Sequence, residues 1–74
     1  MSKSPSIKSV GRNVKEAREL IGISQRGLAH KLGYKGKSAG AFVSRVESGE
    51  RVPRVKTLLR FANALGTSLE ALLA

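Results

Sequence analysis

Along this chain the apolar residues recur at helical spacing and nowhere alternate as a half-buried strand would require. Ile7, Val10, Val14, Ala17 and Ile21 follow one another in steps of three and four, which puts them on one face of a helix. The pattern predicts a first helix from about Lys8 to Leu20, ended by Gly22. Ser24 then offers its side-chain oxygen to an orphan backbone N–H, and Leu28, Ala29 and Leu32 share a face in a second helix predicted over Gln25–Leu32. Gly27 stands where a capping box would place Glu. It weakens this short helix by up to about 1 kcal/mol relative to Ala, so the helix must lean on its neighbours.

Gly33 breaks the chain, and Tyr34-Lys35-Gly36-Lys37 reads as a basic loop. Ser38 is placed to cap a third helix over Ala39–Ser48. Ala39, Phe42, Val43 and Val46 gather on one side of it and Ala41, Ser44, Arg45 and Ser48 on the other. Beyond Gly49, a loop over residues 50–54 contains Pro53, and Val55, Leu58, Ala62 and Leu65 predict a fourth helix over Val55–Leu65. Gly66 ends it, and Thr67 with Glu70 can form a capping box for a last short helix over Leu69–Leu73. The chain therefore reads as an all-α, five-helix bundle over residues 7–74. Before it, Met1–Ser6 has no apolar period and reads as a flexible basic arm.

Composition narrows what such a bundle can do. The length of 74 residues allows one domain, and a chain this short buries only about 60% of its unfolded surface on folding. There is no Cys, no Asp and a single His, His30, so disulfide scaffolds, thiolate zinc sites and the Ser-His-Asp arrangement cannot be assembled within it. An enzyme is not expected, nor is a cofactor or metal. The aromatics Tyr34, Phe42 and Phe61 are too few for a base-stacking sheet or barrel. No apolar run is long enough to span a membrane or serve as a signal peptide, so a cytoplasmic protein is expected.

Charge narrows it further. The formal net charge of +9 invites acidic polymers, nucleic acid above all, with anionic membrane surfaces second. Nine Lys or Arg against two Glu lie within residues 26–60, whereas residues 61–74 hold no Lys or Arg. One end is suited to an anion and the other is largely apolar, as in a DNA-binding module with a dimerisation end. A membrane-active peptide fits poorly, because the glycine-broken helices commit their apolar faces to a core.

A short helix, a glycine turn and a second helix with a small, polar outer face make a helix-turn-helix, in which bulky outer residues would hold the backbone out of the major groove. Several blocks carry a closer likeness: Val14-Lys15-Glu16-Ala17-Arg18, Gly22-Ile23-Ser24-Gln25, Leu28-Ala29-His30-Lys31-Leu32-Gly33, Val43-Ser44-Arg45-Val46-Glu47-Ser48-Gly49-Glu50-Arg51 and Leu58-Leu59-Arg60-Phe61-Ala62-Asn63-Ala64-Leu65-Gly66. In this order they resemble the XRE-type family of phage repressor and Cro-like helix-turn-helix proteins, over Val10–Leu73.

That resemblance implies a double-stranded DNA partner and a role for each matching position. Gln25 would grip a phosphate and brace the recognition helix. Ala41, Ser44 and Arg45 would face base edges, Arg45 able to bond guanine O6 and N7 together. Arg51 and Arg54 would meet the sugar-phosphate backbone or the adjacent minor groove. Arg18 and Glu47 would form an internal salt bridge, leaving Glu47 structural. The stretch between Gly33 and Gly49 is longer than the family usually has, and Lys35 and Lys37 there are expected to reach phosphates as a small basic wing, with Ser38 also expected to bind the DNA backbone. Phe42, where a small polar residue is usual, is expected to pack under Tyr34, and His30 to be solvated.

Phe61, Leu69, Leu72 and Leu73 exceed what so small a core needs and are expected at a homodimer interface. The function implied is transcription regulation, such as repression, by a nucleoid-associated protein without a small-molecule ligand. The alternative is an antitoxin-like module bound to a toxin, with DNA binding secondary. Regulators of restriction-modification operons are similar in size, but no residue singles out that role.

Overall fold

Helix α1 spans Ile7–Leu20, α2 Gln25–Lys31, α3 Ala39–Ser48, α4 Val55–Leu65 and α5 Leu69–Leu73. The computed structural model describes residues 7–74, with side chains from Ser9 onward, so the expected arm over Met1–Ser6 lies outside the described residues. Helices α3, α4 and α5 keep their predicted limits. α1 begins one residue early, and α2 stops at Lys31 with Leu32 as its C-cap.

The ends of the helices explain these limits. Ser24 is extended (φ −79°, ψ 167°), and its Oγ accepts the Gly27 N–H at 2.9 Å. Gly49 and Gly66 close α3 and α4 in the left-handed region, at φ 85° and 70°, where a Cβ would be strained. Two expected caps are corrected. Ser38 has φ −93° and ψ 11° rather than the extended backbone of a capping residue, and it makes no side-chain cap bond. The cap of α5 is Ser68, not Thr67: Ser68 is extended and its Oγ accepts the Ala71 N–H at 3.1 Å.

The core forms where the apolar faces converge. Val14 of α1, Leu28 and Ala29 of α2, Val43 and Val46 of α3, Phe61 and Leu65 of α4 and Leu72 of α5 are all buried. Burying a side chain of Val, Leu or Phe size stabilises the fold by about 1.5–3 kcal/mol before conformational entropy is subtracted. Phe61 and Leu72, expected at a dimer interface, are 0% and 1% exposed within the single chain. Both belong to its own core: Phe61 packs against Phe42, and Leu72 is buried where α5 folds back on α1, Asn13 Nδ2 donating to its carbonyl at 2.9 Å.

Two close approaches set the position of α3. A Cβ built on Gly11 would lie 2.4 Å from the Val46 carbonyl oxygen and 2.6 Å from that of Glu47, so α1 touches the last turn of α3 backbone to backbone. A Cβ on Gly40 would lie 3.3 Å from the Arg26 nitrogen, where the start of α3 crosses the start of α2. At the other end of α2, an Arg60 guanidinium nitrogen donates to the Leu32 carbonyl, so α4 covers one of the acceptors left free where α2 ends.

Candidate nucleic-acid interface

One edge of α3 is spent on holding it in place. Arg18 of α1 donates from Nε to Glu47 Oε2 at 2.6 Å and from Nη2 to Oε1 at 3.1 Å, a two-pronged contact that matches the guanidinium fork to the carboxylate. Its Nη1 donates to the Ile23 carbonyl at 2.8 Å, and Gln25 Nε2 donates to Glu47 Oε1 at 3.0 Å. The Glu47 side chain is only 4% exposed. The hydrogen bond to Glu47 is the main cause that holds the Arg18 guanidinium above its ordinary pKa; the Glu47 and Glu19 charges add to it and burial opposes it. Arg18 and Glu47 thus form the pair that the resemblance implied. Gln25 does brace α3, and among the described residues its amide makes no second hydrogen bond.

The opposite edge of α3 is held by aromatic packing. Half-buried Phe42 lies between Tyr34, with ring centroids 5.1 Å apart, and Phe61, at 6.0 Å, both within the range for favourable tilted pairs. Phe42 packs beside Tyr34 as expected, and through it the extra loop is fastened to the core. The Arg51 guanidinium lies 5.5 Å from the centre of the Phe42 ring, and the Arg51 N–H donates to the Arg45 carbonyl at 3.1 Å.

Between these edges Ala41, Ser44, Arg45 and Ser48 are exposed on the outer face of α3. The side chains of Ser44 and Arg45 make no hydrogen bond or ion pair among the described residues. Lys35, Lys37 and Ser38 are exposed just before α3, and Arg51 and Arg54 just after it. Arg54 occupies the N-cap position of α4, where its donor-only guanidinium cannot cap the helix, and it forms no ion pair among the described residues. Glu50 is the one exposed acid in the loop of residues 50–54, against Arg51 and Arg54. His30 is exposed on α2, away from these groups in sequence. Leu69 and Leu73 are half-buried on α5.

Such a surface is polar and cationic. Among the described residues no His and Glu side chains cluster so as to hold a metal ion, and no helix is long and apolar enough to cross a membrane. It can accept an anionic polymer: a small, polar ridge with one free guanidinium, framed by cations. The sequence points to no role for Gly11, Gly40, Arg12 or the Lys15 side chain. A glycine inside a helix, where Ala is favoured by about 1 kcal/mol, was the available signal for the first two.

A ridge of this kind on the second of two crossed helices defines a helix-turn-helix protein. Residues 14–72 match the helix-turn-helix family of the XRE type, and the chain belongs to that family of DNA-binding regulators. The restriction-modification controller protein C.AhdI from Aeromonas hydrophila is 28% identical, over 90% of this chain and 96% of that one, with a TM-score of 0.79. Hydroxypropylphosphonic acid epoxidase from S. wedmorenis is 30% identical over 99% of this chain, with a TM-score of 0.81, but the match spans only 36% of the epoxidase. A hypothetical transcription factor, NHTF, from Neisseria shares the fold at 24% identity and a TM-score of 0.81, over 100% of this chain and 85% of that one. Comparison with curated protein sequences gives no match.

Proposed function

We propose that this protein is a sequence-specific transcriptional regulator of bacterial or phage type, without enzymatic activity, that places α3 in the major groove of double-stranded DNA in the cytoplasm. The observation that carries the reading is the outer face of α3. It combines small side chains, which let the backbone approach base edges, with the unpaired Arg45 guanidinium, whose fork fits guanine O6 and N7. Arg51, Arg54, Lys35, Lys37 and Ser38, all exposed in the segments flanking α3, and the Gln25 amide would contact phosphate. Such contacts set register and affinity rather than base choice. The match to a controller protein over nearly the whole of both chains favours regulation over the alternatives.

A homodimer on a palindromic operator is part of the reading. Leu69 and Leu73 remain partly exposed on α5 after Phe61 and Leu72 are assigned to the core, and they are the apolar residues there that a second copy could cover. Two-fold symmetry would set half-sites about 34 Å apart. The experiment that tests the whole reading is site selection from random duplex DNA. The expected product is an inverted repeat bound by two chains, and failure to enrich any sequence would overturn the reading.

A further inference from the structure

The cations named so far frame α3 at its N-terminal end and along the loop that follows it. A further pair stands on α1. Because Gly11 has no side chain, α1 approaches the Val46 and Glu47 carbonyls directly, and the next residue, Arg12, is brought with Lys15 to the side of α3's last turn. Arg12 and Lys15 are three residues apart, which on a helix makes them surface neighbours. With Glu47 and Ser48 they line an open cleft of about 300 Å³.

The electrostatics of this cleft are one-sided. Arg12 and Lys15 are exposed and form no ion pair among the described residues. The carboxylate in the cleft, Glu47, is only 4% exposed and is already paired with Arg18 and bonded by Gln25, so its charge is largely compensated before Arg12 and Lys15 are considered. Glu16 and Glu19, also on α1, are exposed but do not line the cleft. Ser48 belongs to the same outer face as Ala41, Ser44 and Arg45, so the cleft opens at the border of the reading surface. A helix in a major groove has a sugar-phosphate strand along each side, and a strand passing the last turn of α3 would run by this cleft.

We propose that Arg12 and Lys15 form a second phosphate-binding flank, gripping the DNA strand beside the C-terminal end of α3. This rests on the DNA-binding reading above. The flank adds affinity without base choice and lengthens the footprint beyond what α3 and its loops cover.

The test compares the intact protein with the double variant Arg12→Gln, Lys15→Gln on a selected duplex and a random one, across a salt series. Each phosphate contact contributes about −0.9 to the slope of log K against log salt, so the slope should become shallower by about 1.8. Affinity should fall by the same factor on both duplexes. The charge-preserving variant Arg12→Lys, Lys15→Arg should restore slope and affinity, which separates lost contacts from a disturbed fold. Methylphosphonate replacement of single phosphates should mark positions that weaken the intact protein and leave the double variant indifferent. An unchanged slope, or a loss confined to the selected duplex, would overturn the flank while leaving the reading of α3 intact. No duplex binding by the intact protein would remove both.

Discussion

Arg18 and Glu47, 29 residues apart, are joined by two hydrogen bonds that tie α1 to α3 at the edge of the core. Removing the arginine alone would strand a carboxylate that is 4% exposed. Arg18→Met should therefore destabilise the protein by about 3 kcal/mol, as expected for one partner taken from a largely buried, charge-assisted pair. A thermal melt checks it, since each kcal/mol lowers the midpoint by roughly 4–8 °C in a domain of this size.

The same pair sets a pH expectation. The pKa of Arg18 is raised by folding, so its contribution is complete below the unfolded value and is lost only as pH climbs through the still higher folded one. The gap in melting temperature between the intact protein and Arg18→Met should stay constant from about pH 6 to about pH 9, a range far below the ordinary arginine pKa. A gap that closes on the alkaline side of neutrality would contradict this assignment.

Gly11→Ala should be damaging although Ala is the better helix former. The new methyl carbon would meet the Val46 and Glu47 carbonyl oxygens at 2.4 and 2.6 Å, and backbone atoms cannot swing aside as a side chain can. We expect a loss of about 1–3 kcal/mol, the usual range for overpacking, visible in urea titration. Wild-type stability in this variant would mean that α1 does not lie so close to α3.

Arg45 and Arg51 should part company in binding experiments. Arg45→Ala should cost about 1–3 kcal/mol on the preferred site, relax selection at one base pair and spare random DNA. Arg51 lies against the Phe42 ring and follows α3, so Arg51→Ala should weaken all duplexes alike and reduce the salt slope by about 1. Competition binding on both kinds of duplex distinguishes the two patterns.

The extra loop gives a further prediction. Tyr34 anchors it to Phe42, leaving Lys35 and Lys37 exposed beside the start of α3. A Lys35→Ala, Lys37→Ala variant should keep its melting temperature and lose about 1.8 from the magnitude of the salt slope. If slope and affinity both held, the loop would have no part in binding.

On α5, neighbouring leucines should behave differently. Leu72 is 1% exposed, so Leu72→Ala should cost about 2–5 kcal/mol of folding stability at any protein concentration. Leu69→Ser with Leu73→Ser should instead shift sedimentation toward the monomer, with and without DNA. Monomer alone at high concentration for the intact protein would remove the dimer from the proposal.

Much of the fold was legible in the sequence because glycines punctuate it: Gly22, Gly49 and Gly66 follow the last residues of apolar periods, and the observed helices stop there. Caps were less legible, since whether a hydroxyl reaches back depends on its own backbone angles. Ser68 is extended and bonds, whereas Ser38 is not and does not. An apolar period also cannot say which copy of a chain covers it, and that is why Phe61 and Leu72 read as interface residues. The Arg18–Glu47 pair was legible only through the family resemblance, since no local pattern joins residues 29 positions apart, whereas Phe42 was legible from its place on the apolar side of α3. Arg12 and Lys15 acquire meaning only from the crossing of α1 over α3, which no local pattern encodes.

The brace through Glu47 grips α3 by one edge and Phe42 grips it by the other, so the fold does not depend on what stands at Ala41, Ser44 and Arg45. Scaffold and address are then separable. If the proposed reading of α3 holds, exchanging those side chains for others of modest size would redirect the protein to a different DNA sequence while it folded as before. A lineage of such proteins could diverge in target through a handful of codons, with no compensating change in the interior.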